Sequence, residues 1–304
     1  MCKWIIDTDI GDDIDDAFAI RYSVYKKMDI SAITTVHRCP YMRAELAKFF
    51  LLQNGVDIPV YAGEESSLKV DWQKIYSAKN YFEIEPENSQ TGKWLAHYTQ
   101  KASGTKIENE NAVDFIINCA LKNQKNISIL ALAPLTNIAT AIKKEPKIIK
   151  AINEIVVLGG NINSGKAEWN IRLDPEAAKV VFKSRIPIKL ITTDFSWKHC
   201  VINIGDIESS LKAGKDYQKV LSDMLSAWKK QPIYKNANPC LHDVLAVVAA
   251  VSNDVVKFEK KKIKLSLRGK KRAITRFSNS GYEISVSCFV DENKFKQEVL
   301  SSLL

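Results

Sequence analysis

The sequence predicts an α/β fold: a doubly wound, mainly parallel sheet with helices on both faces and a small antiparallel extension near the C-terminus. Three observations predict it. Short apolar runs alternate with helical patterns through most of the chain, the signature of a parallel sheet covered on both faces. Several of the runs lead straight into polar or glycine-containing loops, and ligands in such sheets bind beyond the carboxyl ends of strands. The last runs lack an intervening helix and alternate like antiparallel edge strands.

Element by element, Trp4-Ile5-Ile6 ending at Asp7 predicts a buried strand, and Ala17 to Ile20 opens a helix. Ile30 to Val36 predicts a second strand, Arg43 to Asn54 a helix closed by Gly55, and Ile58 to Tyr61 a third strand. Residues 64–108 are polar and irregular with three aromatic-rich patches, and are expected to form an insertion or lid. A helix over Ala112 to Asn123, a strand over Ile127 to Leu132 and a helix over Asn137 to Lys144 follow. Next come strands over Ile155 to Leu158 and Ile188 to Thr192, separated by a helix over Pro175 to Lys183. Val244 to Val251 predicts the last long apolar helix. Lys262 to Leu267, Ala273 to Phe277 and Ile284 to Val290 predict the antiparallel extension.

The bulk numbers narrow the class. The 304 residues are 46% hydrophobic and 26% charged, ordinary for a globular chain, and 12 Gly and 9 Pro are too scattered to mark a linker. One domain over residues 1–304 is expected. The net charge of +9 raises the prior for an anionic partner. The basic doublets and triplets at 143–144, 229–230, 260–262 and 270–272 sit apart and lack interleaved aromatics, so a solvated Lys-rich surface is expected and no nucleic-acid partner. Six cysteines without CxxC spacing read as reduced thiols. Met1 runs into an acidic loop within seven residues, which fits no secretory signal, and no apolar run approaches the roughly 18 residues of a membrane span. A cytoplasmic protein without membrane association is expected.

Six carboxylates crowd the loop after the first strand: Asp7, Asp9, Asp12, Asp13, Asp15 and Asp16. Packed beside a buried strand, they would resist ionisation unless a cation offsets them. Helix capping accounts for one or two of them, not six. Hard oxygen donors on a short loop point to Ca²⁺ or Mg²⁺, with Gly11 allowing the turn. An EF-hand would need Gly and Glu where Asp12 and Phe18 stand. A phosphatase of the haloacid-dehalogenase type, with Asp7 as nucleophile and Asp9 beside it, remains a competing class.

Asp7-Thr8-Asp9-Ile10-Gly11-Asp12-Asp13-Ile14-Asp15-Asp16-Ala17 closely resembles the opening signature of the inosine–uridine-preferring nucleoside hydrolase family. Three later segments resemble that family in the same order. Ala133-Pro134-Leu135-Thr136-Asn137 is similar to a Gly-Pro-Leu-Thr-Asn turn. Gly159-Gly160, Ala167-Glu168-Trp169-Asn170 and Asp174-Pro175-Glu176-Ala177-Ala178 resemble the central block, and Leu241-His242-Asp243 the late His-Asp motif.

The resemblance implies Ca²⁺-dependent hydrolysis of the N-glycosidic bond of ribonucleosides, giving free base and ribose for purine and pyrimidine salvage. Asp9, Asp16, Asp243 and the backbone carbonyl of Leu132 would ligate calcium. Asp9 would take the proton of the attacking water, and His242, as a histidine poised near neutral pH, would protonate the departing base. Asp15 would hold the ribose hydroxyls, with Glu168 and Asn170 on the sugar's far side and Asn161 and Asn163 as further sugar contacts. Relatives are commonly dimers or tetramers, so a homo-oligomer is implied. Trp228 and Tyr234 lie where a lid could stack on a base, or where they could simply pack.

The pattern breaks in places. After the second strand the family has Gly followed by Asn or Asp, whereas Val36-His37 is followed here by Arg38-Cys39. Ala133 replaces the glycine of the turn, and the His-Gly-rich segment frequent in the family is not evident between 70 and 90. A calcium-containing nucleoside-binding protein or inactive relative is therefore the alternative reading. Which base is preferred is not legible.

Overall fold

A computed structural model describes residues 3–69, 100–231, 234–252 and 254–304. The central part of the expected insertion, residues 70–99, lies outside the described residues. Nine strands form one sheet: β1 Lys3–Thr8, β2 Ile30–Thr35, β3 Val60–Ala62, β4 Ile127–Ala131, β5 Ile155–Leu158, β6 Ile188–Ile191, β7 Val256–Leu265, β8 Thr275–Phe277 and β9 Tyr282–Val290. Their spatial order is β3-β2-β1-β4-β5-β6-β9-β7-β8. All pairings from β3 across to β9 are parallel, and β7 runs antiparallel to both β9 and β8. This is the expected doubly wound sheet with its small antiparallel extension.

The strands are apolar throughout because both faces are covered. In β1, Trp4 and Ile6 enter one core while Ile5 enters the other; Val156 and Leu158 against Ile155 and Val157 repeat the division in β5. One face carries α1 (Asp15–Tyr25), α2 (Pro40–Gln53), α11 (His242–Val251) and α12 (Glu292–Ser302). The other carries α3 (Ala112–Lys122), α4 (Thr136–Lys144), the short α5 (Ile148–Ala151) and, after α6 (Trp169–Leu173), α7 (Pro175–Lys183). Three further helices, α8 (Thr193–His199), α9 (Ile204–Ser210) and α10 (Asp216–Lys230), complete the described set.

Helix starts follow local chemistry. Pro40 and Pro175 occupy first-turn positions where no N–H is needed, and Asp174 caps α7 by accepting from Ala177 N–H at 2.9 Å. The expected start of α2 at Arg43 was three residues late, since Pro40 begins the helix. The extension differs more. β7 begins at Val256, six residues before the expected Lys262, because ladder pairing with β9 holds a run whose lysines hide any apolar period.

Strand order reverses between β1 and β4, the neighbours from which the chain winds outward in both directions. Ligands of open α/β sheets bind at such a switch point, beyond the carboxyl ends of the strands. Here those ends are Thr8 and Ala131, leading into Asp9 and Leu132.

Candidate active site

Two helices deliver acid to this point. α1 and α11 pack against each other, with Asp15 and Asp16 in the first turn of one and Asp243 in the first turn of the other. Carboxylate oxygens of the three lie within 4.8 Å of one another, and all three are buried. The helix N-termini offer partial positive charge, and Asp243 N–H donates to Asp15 Oδ2 at 3.3 Å. Thr8 Oγ1 donates to Asp16 Oδ1. Asp9, also buried, sits close enough to Asp243 to raise that group's protonation range, and Asp16 raises that of Asp9.

Burial is the leading cause that pushes these groups up. Asp9, Asp15 and Asp243 stand well above the usual carboxylate range, first through burial and then through mutual repulsion. Asp16 is raised to about 7, with Thr8 and Arg43 pulling back. Asp243 Oδ1 is buried with no hydrogen-bond partner. Crowded hard oxygens of one sign, one of them unsatisfied, fit a divalent cation of the oxygen-seeking class.

Arg43 is the group that sequence reading missed. Fully buried on α2, it donates through Nε to the His37 and Arg38 carbonyls at 2.8 and 3.0 Å. Its Nη1 reaches the carbonyls of Asp9 and, at 3.0 Å, Ile10, while Nη2 pairs with Asp12 Oδ2 at 2.9 Å. It thereby ties the loop after β1 to the loop after β2. That second loop holds His37, Arg38 and Cys39 in succession at φ of 67°, 33° and 49°, the left-handed region that favours glycine. The glycine usual in the resembled family has a physical reason here, and Arg43 clamps the carbonyls that lack it.

His242 is buried at the start of α11. Ser196 Oγ, on α8, lies 2.6 Å from its Nδ1, and the edge of Trp197 packs at 5.0 Å between ring centroids. Burial lowers the imidazole to about 4, which corrects the expectation of a ring poised near neutrality. Near pH 7 it is neutral. Ser196 Oγ occupies Nδ1, which leaves Nε2 as the ring nitrogen for a ligand.

Trp228 and Tyr234 do not stand ready for a base. Trp228 is buried, stacks on Tyr234 at 4.5 Å, and donates to Asp13 Oδ1 at 2.8 Å. Tyr234 donates to Asp13 Oδ2 at 3.2 Å. The pair fastens the acidic loop to the chain that leads on to His242.

The remaining expected residues divide. Glu168 caps α6: Oε1 accepts from Asn170 N–H, and Oε2 from Ile171 and Gly160 N–H, each at 2.9 Å. Asn170 Nδ2 donates to the Leu132 carbonyl at 2.8 Å. The carbonyl expected to face a cation is thus also held by a sugar-contact candidate. Asn161 is half-buried, with its N–H on Thr275 Oγ1 at 2.9 Å; Asn163 is exposed and bonded to Asp194. Asp7 is fully buried, and its Oδ1 accepts from Thr34 and Asn137 at 2.6 and 2.8 Å. A group so enclosed cannot attack a phosphoester, which removes the phosphatase reading. Asn137 also receives Glu64 N–H at 2.8 Å, and a Cβ on Gly63 would come within 2.3 Å of its Oδ1.

The family model of the inosine-uridine preferring nucleoside hydrolase matches residues 4–297. The pyrimidine-specific ribonucleoside hydrolase RihB of Escherichia coli O1:K1 / APEC is 29% identical over 264 residues, covering 84% of this chain and 80% of that protein. Among solved structures, the purine-preferring ribonucleoside hydrolase from Gardnerella vaginalis superposes with a TM-score of 0.79 at 25% identity, covering 99% of this chain and 98% of that one. A plant nucleoside hydrolase, PpNRh1, gives the same score, identity and coverage.

Proposed function

The chain belongs to the inosine–uridine preferring nucleoside hydrolase family, and from that premise we propose that it hydrolyses the N-glycosidic bond of ribonucleosides with calcium held by the acidic site. The observation that carries the reading is the meeting of Asp15, Asp16 and Asp243 from opposite ends of the chain at the β1/β4 switch point. Asp9, Asp16, Asp243 and the Leu132 carbonyl are the proposed ligands. A bound divalent cation supplies positive charge that offsets these carboxylates and polarises oxygen ligands near the sugar.

The chain's own residues do the rest. Asp15 takes the ribose hydroxyls from beside Asp16 and Asp243. Asp9 receives the proton of the water that attacks the anomeric carbon; its raised affinity for protons, from burial and Asp16, suits a base. Carboxylates around the sugar favour the oxocarbenium-like transition state. His242 gives its Nε2 proton to the departing base, with Ser196 holding Nδ1. Asn170, its amide nitrogen committed to the Leu132 carbonyl, keeps Oδ1 for a sugar hydroxyl, and Asn161 and Asn163 on the loop after β5 are further proposed sugar contacts.

The two relatives with named base preferences differ, one pyrimidine-specific and one purine-preferring, so membership of the family does not by itself fix the base. We further read the chain as one domain acting in the cytoplasm, which the five described cysteines, all unpaired, support. No described helix is long and apolar enough to cross a membrane.

A reducing-sugar assay across inosine, adenosine, guanosine, uridine and cytidine, with calcium and then with chelator, tests the proposal. Ribose release lost on chelation is the expected result. Silence on every nucleoside, with calcium binding intact, would establish a binding protein instead.

A further inference from the structure

The net charge of the protein is not spread over it. Between Val256 and Phe277 stand ten of the chain's 44 basic residues and one of its 35 acidic residues, a local net of +9. The 34 cations elsewhere equal the 34 acids elsewhere, so this segment carries the whole net charge of the molecule. The basic groups that look scattered in sequence are gathered by the fold into β7, β8 and the turn between them, at the outer edge of the sheet.

The geometry aligns them. Lys260, Lys262 and Lys264 are exposed at alternate positions of β7, on one face and about 7 Å apart. Arg276 of β8 lies directly opposite Lys264, a like-charge cross-strand pair that is unfavourable unless an anion is near. Arg268, Lys270 and Lys271 follow in the exposed turn. Among the described residues, acids answer only three of the ten: Lys260 meets Glu283, Lys261 meets Glu259, and Arg272 meets Glu176. The platform is anchored. Arg272 holds Glu176 on α7 at 2.8 and 2.6 Å, and Thr275 bonds to Asn161 beside the candidate site.

Two exposed rings stand on the other face of the ribbon, with Lys257 and Lys261. Phe277 and Phe289 are 47% and 48% exposed, and the ammonium groups of Lys261 and Lys257 sit over their rings at 5.8 and 5.3 Å. A row of cations repeating every second residue, about 7 Å apart, matches the spacing of successive phosphates along an extended single strand. Membrane surfaces are more often met by an amphipathic helix, and this patch is a sheet edge.

We propose that the β7–β8 edge is a docking surface for single-stranded RNA, a polyanion whose breakdown products include the ribonucleosides this family hydrolyses. Binding there is electrostatic and independent of the reaction at Asp9. Fluorescence anisotropy of a fluorescein-labelled 20-nucleotide oligouridylate with the full-length protein tests it. With four phosphates neutralised, affinity should fall about 50-fold between 50 and 200 mM KCl. The variant K262E/K264E/K271E should weaken binding at least tenfold at 50 mM, with hydrolysis of nucleosides unchanged. K143E/K147E/K150E, which reverses as many charges on the α4–α5 segment, should change binding less than twofold.

Absence of binding at 50 mM would overturn the proposal. So would equal loss in the two triple variants, because the attraction would then be diffuse. Hairpin-dependent binding to phosphatidylserine vesicles without binding to oligouridylate would assign the surface to a membrane instead. None of these readings depends on turnover, so failure here is separable from failure of the hydrolase reading.

Discussion

The acidic loop after β1 and the basic β7–β8 edge both crowd like charges into a short stretch of chain, yet the fold treats them in opposite ways. Asp9, Asp15, Asp16 and Asp243 are buried, so their repulsion is felt at low dielectric and shifts protonation far from the ordinary range. The lysines of β7 stand largely in water, where salt screens the repulsion. A buried cluster therefore calls for a resident counter-ion and fixed supports such as Arg43. An exposed one calls only for a partner that comes and goes. The difference teaches that density of charge in sequence says little until burial is known.

Substitutions that separate the two regions should follow this order. Asp9→Ala is expected to lower kcat by roughly 10³-fold with the fold retained, read as ribose release alongside circular dichroism. Preserved turnover would remove Asp9 from the chemistry. Arg43→Ala should cost about 3–5 kcal/mol in urea unfolding, since four carbonyls and Asp12 lose the guanidinium, and Arg43→Lys should recover little of it because only the guanidinium fork spans them. A loss below about 1 kcal/mol would mean that the two loops hold each other without the clamp.

Cation removal comes next. The buried carboxylates bind protons in the folded protein that the unfolded chain, with its ordinary value of 3.8, has released. Stability of the cation-free protein should therefore fall as pH rises from about 4 to about 7, the range set by Asp16. Calcium at about 100 times its Kd should add about 2.7 kcal/mol at pH 7. The gain should shrink toward pH 5, where protons compete for the same oxygens. Thermal melts that show no such crossing would break the comparison at its electrostatic root.

Smaller effects sharpen it. Ser196→Ala should lower kcat about tenfold with KM little changed, the loss of one hydrogen bond that holds the His242 ring. A change confined to KM would place Ser196 in binding rather than in orienting that ring. At the other extreme, K262E/K264E/K271E should move folding stability by no more than about 0.5 kcal/mol, because exposed charges interact weakly.

Much of the fold was legible. β1, β4 and β5 stood out because strands covered on both faces read as unbroken apolar runs. The edge was harder: β7 hides in lysines, and the short α6, α8 and α9 leave no long period to read. The site was legible where carboxylates were dense or a motif was matched. Arg43 was not, since an arginine in a helical pattern looks like any solvated one, and only the fold shows it enclosed. Some matched motifs serve the scaffold rather than the chemistry. Asp174 caps α7 and accepts from Thr136 and Leu68, and Asn137 joins β1, β2 and the loop at Gly63.

By itself the sequence determined the class of fold, the family, and the chemical type of the site, because hydrophobic period and clustered carboxylates are local properties of the chain. Tertiary structure alone decided which carboxylates meet, since Asp243 reaches Asp15 and Asp16 only through the packing of α11 on α1. It also decided that His242 is neutral at pH 7, because burial and not residue type sets that. And it decided that a net charge of +9, scattered to the eye along the chain, stands on one edge of the sheet, where strand pairing brings distant cations side by side.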